Sequence, residues 1–272
     1  MNIAVLGPEG TFSETSLKQA LTEISFNHTF VKDLGDLIPM IQTGEVDFAW
    51  LPWWNSGIGF LSDKNGNEFI SQFYERKLQI YLDAFMPLHF ALLGQDGANI
   101  DDIDTIHVNP YAQAICKTFF KEHPDLKVIT DSSSAKAAKT VSDLNNKNIA
   151  ASASVNTGKK YNLSTLKTSM VAPNEEALMQ FVLFGKPESS FSIQEAGQKV
   201  TSIVIENKSV EEQRFLENIN GVEVRYSSHN KELILIDIYD GSQLDDILNS
   251  INKNKIKILG QYYSQNRPHN FN

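Results

Sequence analysis

The chain contains 272 residues, enough for two or three compact units, and its 41% hydrophobic and 21% charged residues are the balance of a folded globular protein. A net charge of −9 excludes the basic surface that nucleic-acid binding requires, and no apolar run reaches the roughly 18 residues of a membrane span. The single cysteine, Cys116, excludes an internal disulfide framework and fits a reducing cytoplasm.

Strand and helix signals alternate from the start. Ile3-Ala4-Val5-Leu6 is an apolar run bounded by Gly7-Pro8, with no basic leader before it, so a cytoplasmic protein is expected. A helix follows from about Ser13, with Leu17, Leu21 and Ile24 at helical spacing. A strand near His28–Val31 leads to a helix through Leu37, Ile38 and Ile41, closed by Gly44. Phe48-Ala49-Trp50-Leu51 reads as a buried strand that Pro52 ends. This βαβαβ order predicts a mostly parallel sheet covered by helices on both faces.

Residues 78–93 read as extended chain leading into a second α/β block. Strands are expected over 105–108, 127–130 and 148–153, with helices over 112–120 and 134–144. Cys116, beside Ile115 and Phe119 on the first of these helices, reads as core packing. Two such blocks joined by an extended crossing predict two lobes around a cleft. Ligands of open α/β sheets bind at the carboxyl ends of strands, so the loops after Leu6, Leu51 and Val108 should face that cleft. Residues 187–198 read as a linker. A βαββαβ pattern of the ferredoxin-like kind follows, with strands over 201–206, 222–226, 233–239 and 256–259 and helices over 210–216 and 243–251.

Gly7-Pro8-Glu9-Gly10-Thr11-Phe12-Ser13-Glu14 closely resembles the opening motif of the prephenate dehydratase family. Leu51-Pro52-Trp53-Trp54-Asn55-Ser56 stands where that family has a Pro, an apolar residue and then Glu-Asn-Ser. Met86-Pro87-Leu88-His89 resembles the segment that carries its His, although His89 also fits a core hydrogen-bonding role. Ser133-Ser134-Ala135 resembles its Ser-Thr-Ala helix start, and 258–262 resembles the last strand of its ACT domain. The resemblance implies a two-lobed catalytic domain of the periplasmic-binding-protein type (type II) over 1–186, a linker over 187–198 and a degenerate, ferredoxin-like ACT-like domain over 199–272.

The departures from the family pattern bear on chemistry. Its Thr-Arg-Phe motif falls on Met179-Gln180-Phe181. In the family the Thr hydroxyl is implicated in helping the ring hydroxyl leave, and the Arg pairs with a substrate carboxylate. Met179 has no proton to supply, and Gln180 donates only neutral hydrogen bonds. Trp54 replaces the Glu of Glu-Asn-Ser, and Asn109 and Tyr111 stand where many members have His and Gln. In the C-terminal unit the Gly-Ala-Leu helix start is missing after Asn207. Arg225-Tyr226-Ser227-Ser228 replaces Glu-Ser-Arg-Pro, which puts phenylalanine sensing in doubt.

The resemblance therefore implies a catalytic set of Thr11, Asn55, Ser56 and Gln180. It implies substrate contacts from Glu9, Gly10, Trp53, Trp54, His89, Tyr111, Met179 and Phe181, with the two indoles as cleft lining. The substrate expected is prephenate, a small dianion. Loss of the hydroxyl-bearing Thr predicts decarboxylation without aromatisation, because expelling hydroxide near neutral pH needs a general acid in reach. A dehydratase using Thr11, Ser56 or Tyr111 as the acid, or a non-catalytic binder, are the alternatives. No His/Cys/Asp cluster has metal-ligand spacing and no phosphate- or dinucleotide-binding fingerprint is present, so no metal and no cofactor are expected. A homodimer is expected through the C-terminal sheet.

Overall fold

The computed structural model describes residues 1–173, 175–192, 197–206, 221–226, 233–239, 244–245, 247 and 256–268. The helix expected over 210–216, most of that over 243–251, residues 193–196 of the expected linker, and Asn174, Asn207, Ser227 and Ser228 lie outside them.

Two sheets organise the chain. In the first, β1 (Asn2–Leu6) lies between β2 (Asn27–Val31) and β3 (Phe48–Asn55), all parallel. The connections are α1 (Phe12–Ala20) and α2 (Leu37–Thr43), the latter closed by Gly44 at φ 77°. Two antiparallel strands extend this sheet beyond β3: β11 (Leu178–Gly185), then β5 (Gln79–Pro87). The short β4 (Gly59–Phe60) pairs with the end of β3, and α3 (Phe69–Arg76) precedes β5.

Contrary to the sequence reading, Pro52 does not end β3. The strand runs on to Asn55 past a register shift between Gln180 and Phe181, where Pro52 pairs with Phe181. A bulge is one of the few interior strand positions that tolerate a residue without an N–H donor.

The chain then crosses to a second, five-stranded sheet. It contains β6 (Ala91–Gly94), β7 (Thr105–Val108), β8 (Lys127–Thr130), β9 (Ile149–Ala153) and β10 (Ser164–Lys167), in the order β10-β6-β9-β7-β8. Its helices are α4 (Pro110–Ile115), α5 (Lys117–Glu122), α6 (Ser134–Leu144) and α7 (Val155–Lys160). The single helix expected over 112–120 is thus two. Cys116, at φ −90° and ψ 31°, kinks it, while its N–H still bonds Ala112 O and its carbonyl still accepts from Phe120 N. The Cys116 thiol is fully buried in the main hydrophobic core.

The remaining strands are β12 (Gln198–Glu206), β13 (Val222–Tyr226), β14 (Leu233–Tyr239) and β15 (Ile256–Gln265). They pair antiparallel in the order β13-β14-β12-β15. They do not stand apart: β15 pairs in parallel with β5, Ser264 opposite Asp83 and Gln265 opposite Ala84, giving one sheet of ten strands. The junction needs Gly260, because a Cβ there would stand 2.1 Å from the Ile80 carbonyl oxygen.

Candidate active site

A pocket forms where carboxyl ends of strands from both sheets meet. The first sheet contributes Leu6, the Gly10–Ser13 turn, Pro52, Met179 and Phe181. The second contributes Asn109, Tyr111, Ser133, Ser134, Ala135 and Thr157, and the crossing segment supplies Leu88 and Phe90. A cavity of about 60 Å³ lies among them. Among the described residues, no Lys, Arg, Asp or Glu lines it.

The opening turn is locally determined. Thr11 caps α1: its hydroxyl accepts from Glu14 N at 3.2 Å and donates to Leu6 O at 2.9 Å. Glu14 reaches back to accept from Gly10 N at 2.5 Å, a variant of the reciprocal capping box. Burial would raise the Glu14 carboxyl, but the Lys18 ammonium and the Gly10 N–H hold it below its ordinary range. Gly10 sits at φ 90°, a conformation that a side chain disfavours.

The second sheet grips this turn. Thr157 donates to Gly10 O at 3.0 Å, Tyr161 to Glu9 O at 3.4 Å, and Lys160 pairs with the Glu9 carboxylate at 2.6 Å. Phe12 meets Phe90 edge-on at 5.2 Å.

The pocket also collects helix starts. Thr11, Asn109 and Ser133 cap α1, α4 and α6 and all line it, so the positive ends of these helices favour an anion there. Their cap oxygens are engaged: Asn109 Oδ1 accepts from Tyr111 N and Ala112 N, and Ser133 Oγ accepts from Lys136 N. Tyr111 differs. Burial, with the Asp33 carboxylate adding to it, raises its phenol and keeps it protonated.

Strand alternation divides 179–181 between two faces. Met179 and Phe181 line the pocket, whereas Gln180, 1% exposed, turns to the opposite face. There it donates to Asp83 Oδ2 at 2.5 Å and accepts from Arg225 Nη1 at 2.6 Å. Arg225 pairs with the Asp237 carboxylate. Arg267 joins Asp237 at 2.8 Å, Glu223 at 2.6 Å and Asp83 at 3.5 Å. Ser202 donates to Asp237 and meets the Tyr262 hydroxyl at 2.7 Å. Burial pushes Asp83 up to about 6 against the opposing pull of Arg267. Asp237 is equally buried, yet Arg225 and Arg267 hold it below the carboxylate range.

The residues singled out in the sequence therefore separate. Gly10, Thr11, Tyr111, Met179 and Phe181 converge on the pocket. Gln180, expected there, belongs to the buried charged network. Trp53 is core rather than cleft lining: 1% exposed, it packs on Phe60 and Phe73. Trp54 is half-buried, pairs with Phe60 and Gln180, and is also outside the lining.

Asn55 is buried beside the pocket as the cross-strand partner of Met179. Its Oδ1 accepts from Gly57 N and Ile58 N, while its Nδ2 has no hydrogen-bond partner among the described residues. Ser56 ties β3 to the start of β11, donating to Glu176 O and accepting from Leu178 N. His89 is exposed, and its neighbours Leu88 and Phe90 take the inward positions. Glu9 is exposed, pairs with Lys160 and is not among the lining residues.

The family model for prephenate dehydratase matches residues 3–189. The chain belongs to the prephenate dehydratase family. A prephenate dehydratase of Lactococcus lactis subsp. lactis (strain IL1403) is 32% identical over 211 residues, 74% of this chain and 69% of that protein. The crystal structure of prephenate dehydratase from Arthrobacter aurescens in complex with L-Phe has the same fold: TM-score 0.72 at 21% identity, over 97% of this chain and 90% of that one. GqqA, described as a novel type of quorum quenching acylase, also shares the fold: TM-score 0.69 at 18% identity, over 98% and 100% of the two chains.

Within this prephenate dehydratase-family frame, sequence reasoning missed Leu88, Phe90 and Thr157 as pocket walls. Leu88 and Phe90 had a signal, since they flank the His89 segment at strand spacing. Thr157 had none beyond its place at the start of a short helix.

Proposed function

We propose that this chain decarboxylates prephenate without aromatising the ring, releasing a dihydro-4-hydroxyphenylpyruvate. The observation that carries the reading is Met179. It holds a thioether against the pocket at the position where the family pattern has the hydroxyl implicated in expelling the ring hydroxyl. The carboxylate leaves C1 as carbon dioxide, its electron pair moves into the ring diene, and a proton adds at a ring carbon while the hydroxyl stays. Prephenate dianion plus one proton thus gives carbon dioxide and a monoanion, with no oxidant, metal or cofactor needed.

Walls of Leu6, Phe12, Leu88, Phe90 and Met179 solvate a carboxylate poorly, which favours its more delocalised transition state. These residues take the part that the sequence had suggested for Trp53 and Trp54. The α1 and α6 starts attract the substrate's negative charge, and we assign the protonated phenol of Tyr111, a residue of the pocket lining, as the proton donor. Asn55 Nδ2 is a neutral donor alongside. Shared fold does not dictate this chemistry, since the fold also serves a protein described as an acylase. We further propose that residues 199–272 form an ACT-like unit that makes a homodimer and does not sense phenylalanine.

Incubation with prephenate followed by NMR tests the reading. The expected product is a non-aromatic ring that still bears its hydroxyl. Phenylpyruvate at an ordinary enzymatic rate establishes a dehydratase instead, with Tyr111 as the acid to test, and unchanged substrate establishes a binder. Met179→Thr alone should yield some phenylpyruvate.

A further inference from the structure

We propose that Lys160 is the counter-ion for one carboxylate of a dianionic substrate, and that Glu9 holds it at the pocket mouth until the substrate displaces it. This rests on the proposed prephenate chemistry and adds the residue that selects a doubly charged ligand. The pocket's lining carries no cationic side chain among the described residues, so helix starts and neutral donors alone would face two carboxylates. Lys160 lies against the lining. It ends α7, three residues after Thr157, which lines the pocket and bonds Gly10 O. Its stem lies across Gly10, another lining residue, with Cδ 3.2 Å from where a Cβ on Gly10 would stand. Its Nζ is 2.6 Å from Glu9 Oε2, and the two side chains are 33% and 67% exposed. An ion pair that open to water contributes little to stability, so Lys160 loses little in exchanging Glu9 for a substrate carboxylate. Lys18, also near this turn, is instead engaged with Glu14.

A latch that merely joins the two sheets makes a different forecast, because both Lys160→Met and Glu9→Gln break it and both should shift substrate binding the same way. A counter-ion with a competitor makes them opposite. We expect Lys160→Met to raise KM for prephenate about tenfold or more with kcat changed much less, and Glu9→Gln to lower KM. Lys160→Arg should stay near the parent value, and Lys159→Met should change nothing. The parent KM should rise with ionic strength and that of Lys160→Met should not, since screening weakens only an existing charge contact. Equal KM in parent and Lys160→Met, or KM shifts of the same sign in Lys160→Met and Glu9→Gln, overturns the inference while leaving the proposed reaction intact. Parent protein that neither binds prephenate by calorimetry nor turns it over overturns both.

Discussion

Strand β11 presents Met179 and Phe181 to a pocket with no charged wall among the described residues, while Gln180 between them faces a buried cluster containing Asp83, Asp237, Arg225 and Arg267. Three consecutive residues thus serve two environments about one strand thickness apart. On the pocket face, polar groups are neutral and a ligand's charge is the expected visitor. On the other face, charges are satisfied by one another, and they join β11 and β5 to the C-terminal strands. Substitutions on the charged face should therefore change stability and leave ligand binding nearly alone, with the reverse on the pocket face.

The largest expected effect is Arg267→Met. It takes the Arg267 guanidinium from both buried carboxylates, leaving Arg225 paired with Asp237, and breaking a buried pair costs roughly 3–5 kcal/mol. Urea denaturation measures it, and a loss under about 1 kcal/mol would remove the distinction between the faces.

Next in size is the pH response of Asp83. Its folded pKa of about 6 is above the unfolded 3.8, so its contribution is fully present below pH 4 and lost as pH rises through 6, about 2–3 kcal/mol in all. Asp237, depressed, behaves oppositely: its contribution is present above about pH 4 and lost on acidification. Denaturation curves between pH 4 and 7.5 should show the Asp83 decline in the parent protein and a flatter profile in Asp83→Asn.

Gln180→Leu comes third. It removes a donor to Asp83 and an acceptor from Arg225, and should cost about 2 kcal/mol while changing KM for prephenate less than twofold. Met179→Leu should do the reverse, costing under about 1.5 kcal/mol while altering turnover. A Gln180 variant that loses substrate binding but not stability would return Gln180 to the catalytic set. The same geometry makes Met179→Thr a better test than a double change with Gln180→Arg, which would set a third guanidinium beside Arg225.

The smallest effect is Glu14→Gln, about 1 kcal/mol at neutral pH through the weakened α1 cap. Because the Glu14 carboxyl is held below its ordinary range, this difference should shrink as pH falls below about 4.5.

Much of this was legible before the structure. The turn from Gly7 to Glu14, the strands at 3–6, 28–31, 105–108 and 127–130, and the extended crossing at 78–93 all stand where apolar runs and turn residues placed them. The helix α3 carried a signal, Phe69, Ile70 and Phe73 at helical spacing, that the sequence reading passed over, whereas α7 and β10 are too short to show a period of their own. Pro52 misled because its meaning depends on a bulge, and a bulge exists only between two strands.

The sequence by itself determined which residues are in play and the local rules they obey: the Thr11 cap, the Gly44 helix stop, the apolar runs of the strands, and the replacement of Thr-Arg by Met179-Gln180. Those follow from backbone conformation and side-chain chemistry within a few residues. Only the tertiary structure decided which way each residue faces. The alternation of β11 was written in its sequence, but which face met the pocket depended on β5, β15 and Arg225, the last of them 45 positions away from Gln180. Side-chain direction in a buried strand is set by its neighbours across the sheet, because both faces are apolar enough to be buried and the chain's own pattern does not distinguish them. That is why Trp53 went to the core, Gln180 to the charged cluster and Met179 to the pocket.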